Sequence, residues 1–241
     1  MQRVLLGILT PSSNTVLEPV TSEMLKDVPE ASAHFGRFAV TRIALSEGAL
    51  AQFATPEVVK AAELLEHAKC QVIGWSGTSS SWLGFDSDIR LCKSIESSTS
   101  ARACTSVLAI NEILHKTGAR RLGLVSPYSD EVQAAIIDNY QNAGYEIVAE
   151  QHSGLEDNYS FSEVTSSQLD SMIRGVAAAK PEAILIMCTN LRGAPLVHRL
   201  EEELGIPIYD SVATVVWKAM QLTGIDSRRL KGWGSLFREV V

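Results

Sequence analysis

Two similar segments of the chain carry unlike residues at matched positions, and only one of these residues can do acid–base chemistry. Val72 to Thr78 resembles Ile184 to Thr189, and the alignment places Gly77 opposite Cys188. A cysteine can act as a nucleophile when it is a thiolate, or as a proton donor when it is a thiol. Glycine offers neither group, so chemistry at this pair would come from one side, through Cys188.

This alignment is one of three matches between the two parts of the chain. Leu6 to Asn14 returns 116 positions later as Leu122 to Asp130, and the segments that carry Gly77 and Cys188 are offset by 111. The third match joins the helical stretches that begin at Ser106 and Ser211 and end in Thr-Gly. Solenoid repeats have periods of about 20 to 50 residues. The longer offsets therefore predict two similar halves related by a pseudo-twofold axis.

Apolar runs alternate with segments of helical period along the chain. The predicted strands are 4–9, 35–43, 71–75, 101–104, 121–125, 145–150, 183–187 and 207–208. The first predicted helix has its cap within 12–15 and continues through 20–25. The other predicted helices are 56–69, 107–116, 129–143, 167–179, 195–204 and 212–222. This alternation is typical of right-handed βαβ units, which build parallel sheets.

The predicted fold class is therefore α/β, with two pseudo-twofold-related halves. Each half is a small parallel sheet flanked by helices, and the active site lies in the cleft between them. We assign residues 1–105 and 213–241 to the first half and residues 106–212 to the second.

Composition narrows the class of function. The 241 residues carry a net charge of -7 with no basic cluster, which argues against nucleic acid as a partner. The apolar run at the start of the chain is too short for a signal segment or a membrane span, so we expect no membrane partner and a cytoplasmic location. The four cysteines and five histidines lack metal-ligand spacing, and we predict no metal site.

Ligands of parallel α/β sheets bind at the carboxyl ends of the strands. The residues at the predicted strand ends are mostly small, hydroxylated or amide-bearing: Pro11, Ser12, Ser13, Asn14, Gly77, Thr78, Ser79, Tyr128, Cys188, Thr189 and Asn190. The helix starts and turns that follow present free N–H groups, which favour anions. Two such sets facing each other would suit a small dicarboxylate. For residues 12–14, a helix cap and turn stays open as the alternative, and it is the usual role of such residues.

The sequence resembles the aspartate/glutamate racemase superfamily, in its maleate cis-trans isomerase and arylmalonate decarboxylase branch. The motifs that carry the resemblance are Pro11-Ser12-Ser13-Asn14-Thr15, Gly77-Thr78-Ser79, Cys188-Thr189-Asn190-Leu191 and the pair Asp157-Asn158. The resemblance covers essentially the whole chain. It implies the two-half fold, a site between the halves that includes Asn158, and no metal or organic cofactor.

The racemases and isomerases of this superfamily use two cysteines, one from each half. This chain has Gly77 at the first position, as the arylmalonate decarboxylases do, together with their Gly-Thr-Ser run and single second-half cysteine. The resemblance therefore implies a decarboxylase in which Cys188 protonates an enediolate. It must then be a thiol, with a pKa at or above the usual value of about 8.5.

We expect the other catalytic residues, Gly77, Thr78, Ser79 and Tyr128, to shape the site or donate hydrogen bonds to the developing charge. Asn14 and Ser13 would hold the surviving carboxylate, and Trp75, Trp82, Leu83 or Met187 could form an apolar pocket for the departing one. Asn14 and Asn190 are isomerase-like. Two alternatives therefore stay open: a maleate isomerase or aspartate/glutamate racemase-like enzyme whose first cysteine is replaced, and a carboxylate-binding protein without catalysis. Assembly as a homodimer also stays open.

Overall fold

The framework of the protein, in a computed structural model that describes residues 3–240, is a pair of four-stranded parallel sheets. The strands of the first sheet are β1 (Val4–Pro11), β2 (Ala31–Phe38), β3 (Val72–Trp75) and β4 (Arg102–Thr105). Those of the second are β5 (Arg121–Ser126), β6 (Glu146–His152), β7 (Ala183–Ile186) and β8 (Ile208–Asp210). Their spatial orders are β2-β1-β3-β4 and β6-β5-β7-β8. The two orders are equivalent, which confirms the predicted pair of similar α/β halves.

The register of the central strands follows the sequence duplication. In the first sheet Leu9 of β1 pairs with Trp75 of β3, and in the second Val125 of β5 pairs with Ile186 of β7. Val125 lies 116 positions after Leu9, and Ile186 lies 111 positions after Trp75. The offsets read from the sequence are thus the offsets of residues that occupy equivalent places in the two sheets.

Helices connect the strands and cover both sheets. They are α1 (Leu17–Leu25), α2 (Glu47–Ala51), α3 (Thr55–His67), α4 (Ser80–Leu83), α5 (Asp86–Ser98), α6 (Ser106–Thr117), α7 (Asp130–Asn142), α8 (Ser166–Ala177), α9 (Ala194–Leu204), α10 (Ser211–Thr223) and α11 (Leu236–Glu239). Short 3-10 turns span Ser160–Glu163 and Ser227–Arg229. Within residues 3–240, no helix has the length and apolar character needed to cross a membrane.

The third sequence match corresponds to helices α6 and α10. The side chains of Thr105 and Asp210 cap their first turns. Gly118 and Gly224 end them at φ values of 72° and 75°, a left-handed conformation that glycine adopts at little cost. The two helices pack against each other, and α10 also contacts β3 and β4. The chain therefore returns to the first sheet after β8, while the assignment of residues 213–241 to the first half stays a prediction.

The predicted strand at 35–43 is displaced. The observed strand β2 begins at Ala31 and ends at Phe38, in register with β1 along its whole length. The segment after it leaves the sheet, and Arg42 forms an antiparallel bridge with Asp157 of the second half. Its β-branched residues therefore belong to an extended crossing segment, because β-propensity reports a fit to extended backbone and does not identify the strand's partner.

Candidate active site

The strand order of each sheet changes direction at its centre, between β1 and β3 in the first and between β5 and β7 in the second. Open α/β sheets bind ligands outside the carboxyl ends of the strands at such a switch point. A small cavity of about 20 Å³ lies here, and both halves contribute to its wall. Its polar lining consists of Thr78, Ser79, Tyr128, Asn158, Cys188 and Thr189. Its remaining lining consists of Pro11, Val40, Ile43, Phe53, Trp75, Gly77 and Trp82.

Cys188 provides the thiol on this wall. It follows β7 and is 2% exposed, and its sulfur accepts the N–H of Asn190 at 3.3 Å. Burial raises the pKa of the Cys188 thiol to about 12, although hydrogen bonds from Asn190 and Tyr128 act in the opposite direction. The raised pKa favours the protonated thiol at neutral pH, and a thiol can donate a proton.

Tyr128 connects the thiol to the first half. Its phenol oxygen lies 2.6 Å from the hydroxyl oxygen of Thr78, and the phenol and the Cys188 thiol each influence the pKa of the other. The ring is held edge-on against Trp82 and Phe161, with centroid distances of 5.2 and 5.4 Å. Burial keeps the pKa of Tyr128 well above its ordinary value of 10. The phenol is therefore neutral and fixed in place, and it can donate one hydrogen bond.

The first-half residues of the wall come from the turn that follows β3. Thr78 and Ser79 begin this turn, and their carbonyl oxygens accept the N–H groups of Ser81 and Trp82. Gly77 precedes them, directly beneath the ring of Trp75. Among the described residues, Cys188 is the one cysteine that lines the cavity. Residues 3–240 contain no cluster of three or more His, Cys, Asp or Glu side chains that could hold a metal ion.

The predicted carboxylate-binding residues are divided between the wall and the layer behind it. Pro11, Asn158 and Thr189 line the cavity. Ser12, Ser13, Asn14 and Asn190 do not, although they lie in the hydrogen-bond network that backs it.

Hydrogen bonds between the halves occupy the amides behind the wall. Asn14 Nδ2 donates to the hydroxyl of Thr189 at 3.2 Å, while its Oδ1 accepts two backbone N–H groups at the start of α1. Asn190 Nδ2 donates to the carbonyl of Asn158 at 2.5 Å, and Asn158 Nδ2 donates to the hydroxyl of Ser13 at 2.7 Å. These residues hold the two halves in register, and their contact with a substrate stays a prediction.

The apolar wall was largely missed by the sequence analysis. Trp75 and Trp82 line the cavity, whereas Leu83 and Met187 do not. Leu83 is partly exposed at the end of α4, and Met187 is fully buried in the core. The other large apolar wall residues, Val40, Ile43 and Phe53, come from the segment after β2 and from the turn between α2 and α3. No sequence signal identified them, because their role depends on how the crossing segment folds over the strand ends.

Known proteins resemble this chain over nearly its full length. The profile of the family described as arylmalonate decarboxylase matches residues 10–237. The chain therefore belongs to this family.

Curated relatives of the chain include both maleate isomerases and an arylmalonate decarboxylase. It is 20% identical over 227 residues to a maleate isomerase of Geobacillus stearothermophilus, with 90% of each chain covered. It is 24% identical over 237 residues to the arylmalonate decarboxylase of Bordetella bronchiseptica, covering 97% of this chain and 96% of the relative.

The fold is also that of a solved isomerase. A Nocardia farcinica maleate cis-trans isomerase, as a cysteine-to-serine variant with a covalently bound succinylcysteine intermediate, superposes with a TM-score of 0.89. The sequences are 20% identical, and 99% of each chain is covered. At this identity the superposition establishes the fold. The chain is therefore similar both to decarboxylases and to isomerases.

Proposed function

We propose that the protein is a cofactor-independent decarboxylase of a malonate-type dicarboxylic acid, with Cys188 as the proton donor. The observation that carries the proposal is the single buried thiol that residues 3–240 place on the cavity wall, with Gly77 at the matching place in the other half. Burial raises the pKa of this thiol to about 12, so it is ready to donate a proton at neutral pH and poorly suited to attack as a thiolate.

The polar wall supports the first step. The retained carboxylate of the substrate would accept one hydrogen bond from Ser79. It would accept a second from Tyr128, whose hydroxyl can donate to the substrate while it accepts the hydroxyl proton of Thr78. As the bond between the α-carbon and the second carboxylate breaks, carbon dioxide leaves and the electron pair forms an enediolate on the retained group. Fixed donors aimed at such developing charge are effective, since removing one lowers kcat by about 10² to 10³-fold.

The apolar wall supports loss of the second carboxylate. Val40, Ile43 and Phe53 would surround this group with hydrocarbon and leave its charge poorly solvated. Charge is lost from the departing group as carbon dioxide forms, so an apolar environment favours the transition state over the bound acid.

Protonation completes the reaction. Cys188 would give its S–H proton to the α-carbon, and the electron pair of the enediolate would form the new C–H bond. The resulting thiolate would recover a proton from water. The balance is one dicarboxylate and one proton consumed, and one monocarboxylate and one carbon dioxide formed.

Maleate isomerisation is the second candidate, favoured by the similarity to maleate isomerases and by the presence of Asn14 and Asn190. It would require a thiolate nucleophile at Cys188 and another group in place of the second thiol. The raised pKa of Cys188 and the presence of Gly77 on the cavity wall both weigh against it.

The test incubates the protein with a panel of 2-aryl- and 2-alkyl-malonates and, separately, with maleate. We expect carbon dioxide release from at least one malonate and its loss in Cys188→Ala. Cys92→Ala is the matched control, because Cys92 lies in α5 and outside the cavity. Turnover that survives in Cys188→Ala would contradict the assigned role of the thiol.

Proton NMR of the maleate sample separates the alternatives. Fumarate formed from maleate, without decarboxylation of any malonate, would favour the isomerase. Thermal stabilisation by dicarboxylates with no turnover, unchanged in Cys188→Ser, would favour a binding protein.

A further inference from the structure

Trp75 is locked in place at the end of β3. Its backbone pairs with Leu9 of β1 and Thr105 of β4, and the residue is 2% exposed. Its indole packs against the ring of Phe38 with a centroid distance of 5.1 Å and an interplanar angle of 48°. Because the ring is rigid and closely packed, it cannot move aside without disturbing its neighbours.

The same ring excludes any side chain at Gly77. A Cβ atom at this position would lie 2.0, 2.3 and 2.5 Å from three atoms of the indole of Trp75. Carbon atoms in favourable contact are about 3.5 to 4.0 Å apart. The backbone of Gly77 is outside the left-handed region, so its conformation does not call for glycine. The indole is therefore the reason that this position has no side chain.

The second half has the reverse arrangement. Ile186 occupies in β7 the place that Trp75 occupies in β3, and Cys188 follows Ile186 by two residues as Gly77 follows Trp75. In the second half the smaller residue Ile186 is followed two positions later by the thiol of Cys188. In the first half the large aromatic Trp75 is followed two positions later by Gly77. The two halves fill equivalent space in opposite ways.

We propose that Trp75 is a specificity-determining residue that closes the first-half face of the site by filling the space a second thiol would need. The inference rests on the proposed decarboxylase function and deepens it. Protons reach the α-carbon only from the side of Cys188. A prochiral malonate therefore yields one enantiomer of its product, and the enzyme does not racemise that product.

The packing part is tested by adding the same thiol in two backgrounds. We expect Gly77→Cys in the wild-type protein to lower Tm by roughly 3 to 10 °C, because it overpacks the site. In a Trp75→Ile protein, which copies the second half, we expect Gly77→Cys to leave Tm unchanged or raise it. An equal fall in both backgrounds would overturn the proposal, as would a double variant that fails to fold when Trp75→Ile alone folds.

The stereochemical part uses the product acid in deuterated water. We expect wild type and Gly77→Cys to show no racemisation of a single enantiomer, and Trp75→Ile/Gly77→Cys to racemise it with deuterium entering at the α-carbon. Racemisation by Gly77→Cys alone would contradict the blocking role of Trp75. So would a double variant that still releases carbon dioxide but neither exchanges nor racemises. The Tm comparison needs no turnover, so failure of the proposed decarboxylation remains distinguishable from failure of this inference.

Discussion

The hydroxyl oxygens of Thr78 and Tyr128 lie 2.6 Å apart in a buried hydrogen bond that joins the two halves of the protein. Thr78 follows the end of β3 and Tyr128 follows the end of β5, so the contact spans the two switch points. Since the phenol and the Cys188 thiol also shift each other's pKa, Tyr128 links the first half to the proposed proton donor.

Loss of this phenol should impair catalysis. We expect Tyr128→Phe to lower kcat for decarboxylation by about 10² to 10³-fold, because it removes a fixed donor from the developing enediolate. Tyr140→Phe is the matched control. Tyr140 is also fully buried and lies outside the cavity wall, and its hydroxyl has no hydrogen-bond partner among residues 3–240. Steady-state kinetics check the prediction, and equal kcat values for the two variants would contradict it.

The pH dependence should distinguish an acid from a nucleophile at Cys188. A proton-donating thiol is active below its pKa and loses activity as pH rises through it. Because burial raises this pKa to about 12, we expect kcat to stay constant from about pH 7 to about pH 10. A thiolate nucleophile would give the opposite sign, with a rate that increases as pH rises. The measurement is a kcat profile under saturating substrate, and a fall centred near pH 8.5 would indicate an ordinary thiol.

Asn190 should matter for stability as well as for the site. Its side chain is fully buried, accepts the N–H of Thr15 at 3.0 Å and donates to the carbonyl of Asn158. Asn190→Ala leaves both backbone groups without these partners, so we expect the free energy of unfolding to fall by about 2 to 6 kcal/mol. Urea denaturation measures the change. Asn142→Ala, at an exposed helix end, serves as control and should shift stability by less than about 0.5 kcal/mol.

Phe53 should limit the size of the substrate. It lines the cavity and contacts Trp82 with a ring centroid distance of 5.9 Å. A cavity of about 20 Å³ is close to the size of one water molecule, so a dicarboxylate must displace part of the wall. We expect Phe53→Ala to raise kcat/KM for bulky malonates over small ones by about tenfold. Leu83→Ala is the control, since Leu83 is partly exposed and off the wall; an unchanged ratio in Phe53→Ala would show that another element sets the limit.

Much of the fold could be predicted because its signals are local. The apolar run that forms β7 and the helix stops at Gly118 and Gly224 were identified from adjacent residues alone. Strand β2 was misplaced because β-branched residues after Phe38 favour extended backbone without specifying whether it pairs with β1 or with the second half. The short helices α2 and α4 carry too few residues for a helical period to be recognised.

The sequence by itself determined the duplication, the residues at the strand ends and the asymmetry between Gly77 and Cys188. These features depend only on residue types and on their spacing along the chain. Tertiary structure alone decided the contact between Thr78 and Tyr128, the raised pKa of Cys188 and the packing of Trp75 over Gly77. All three depend on burial and on distances through space, which composition and spacing do not specify.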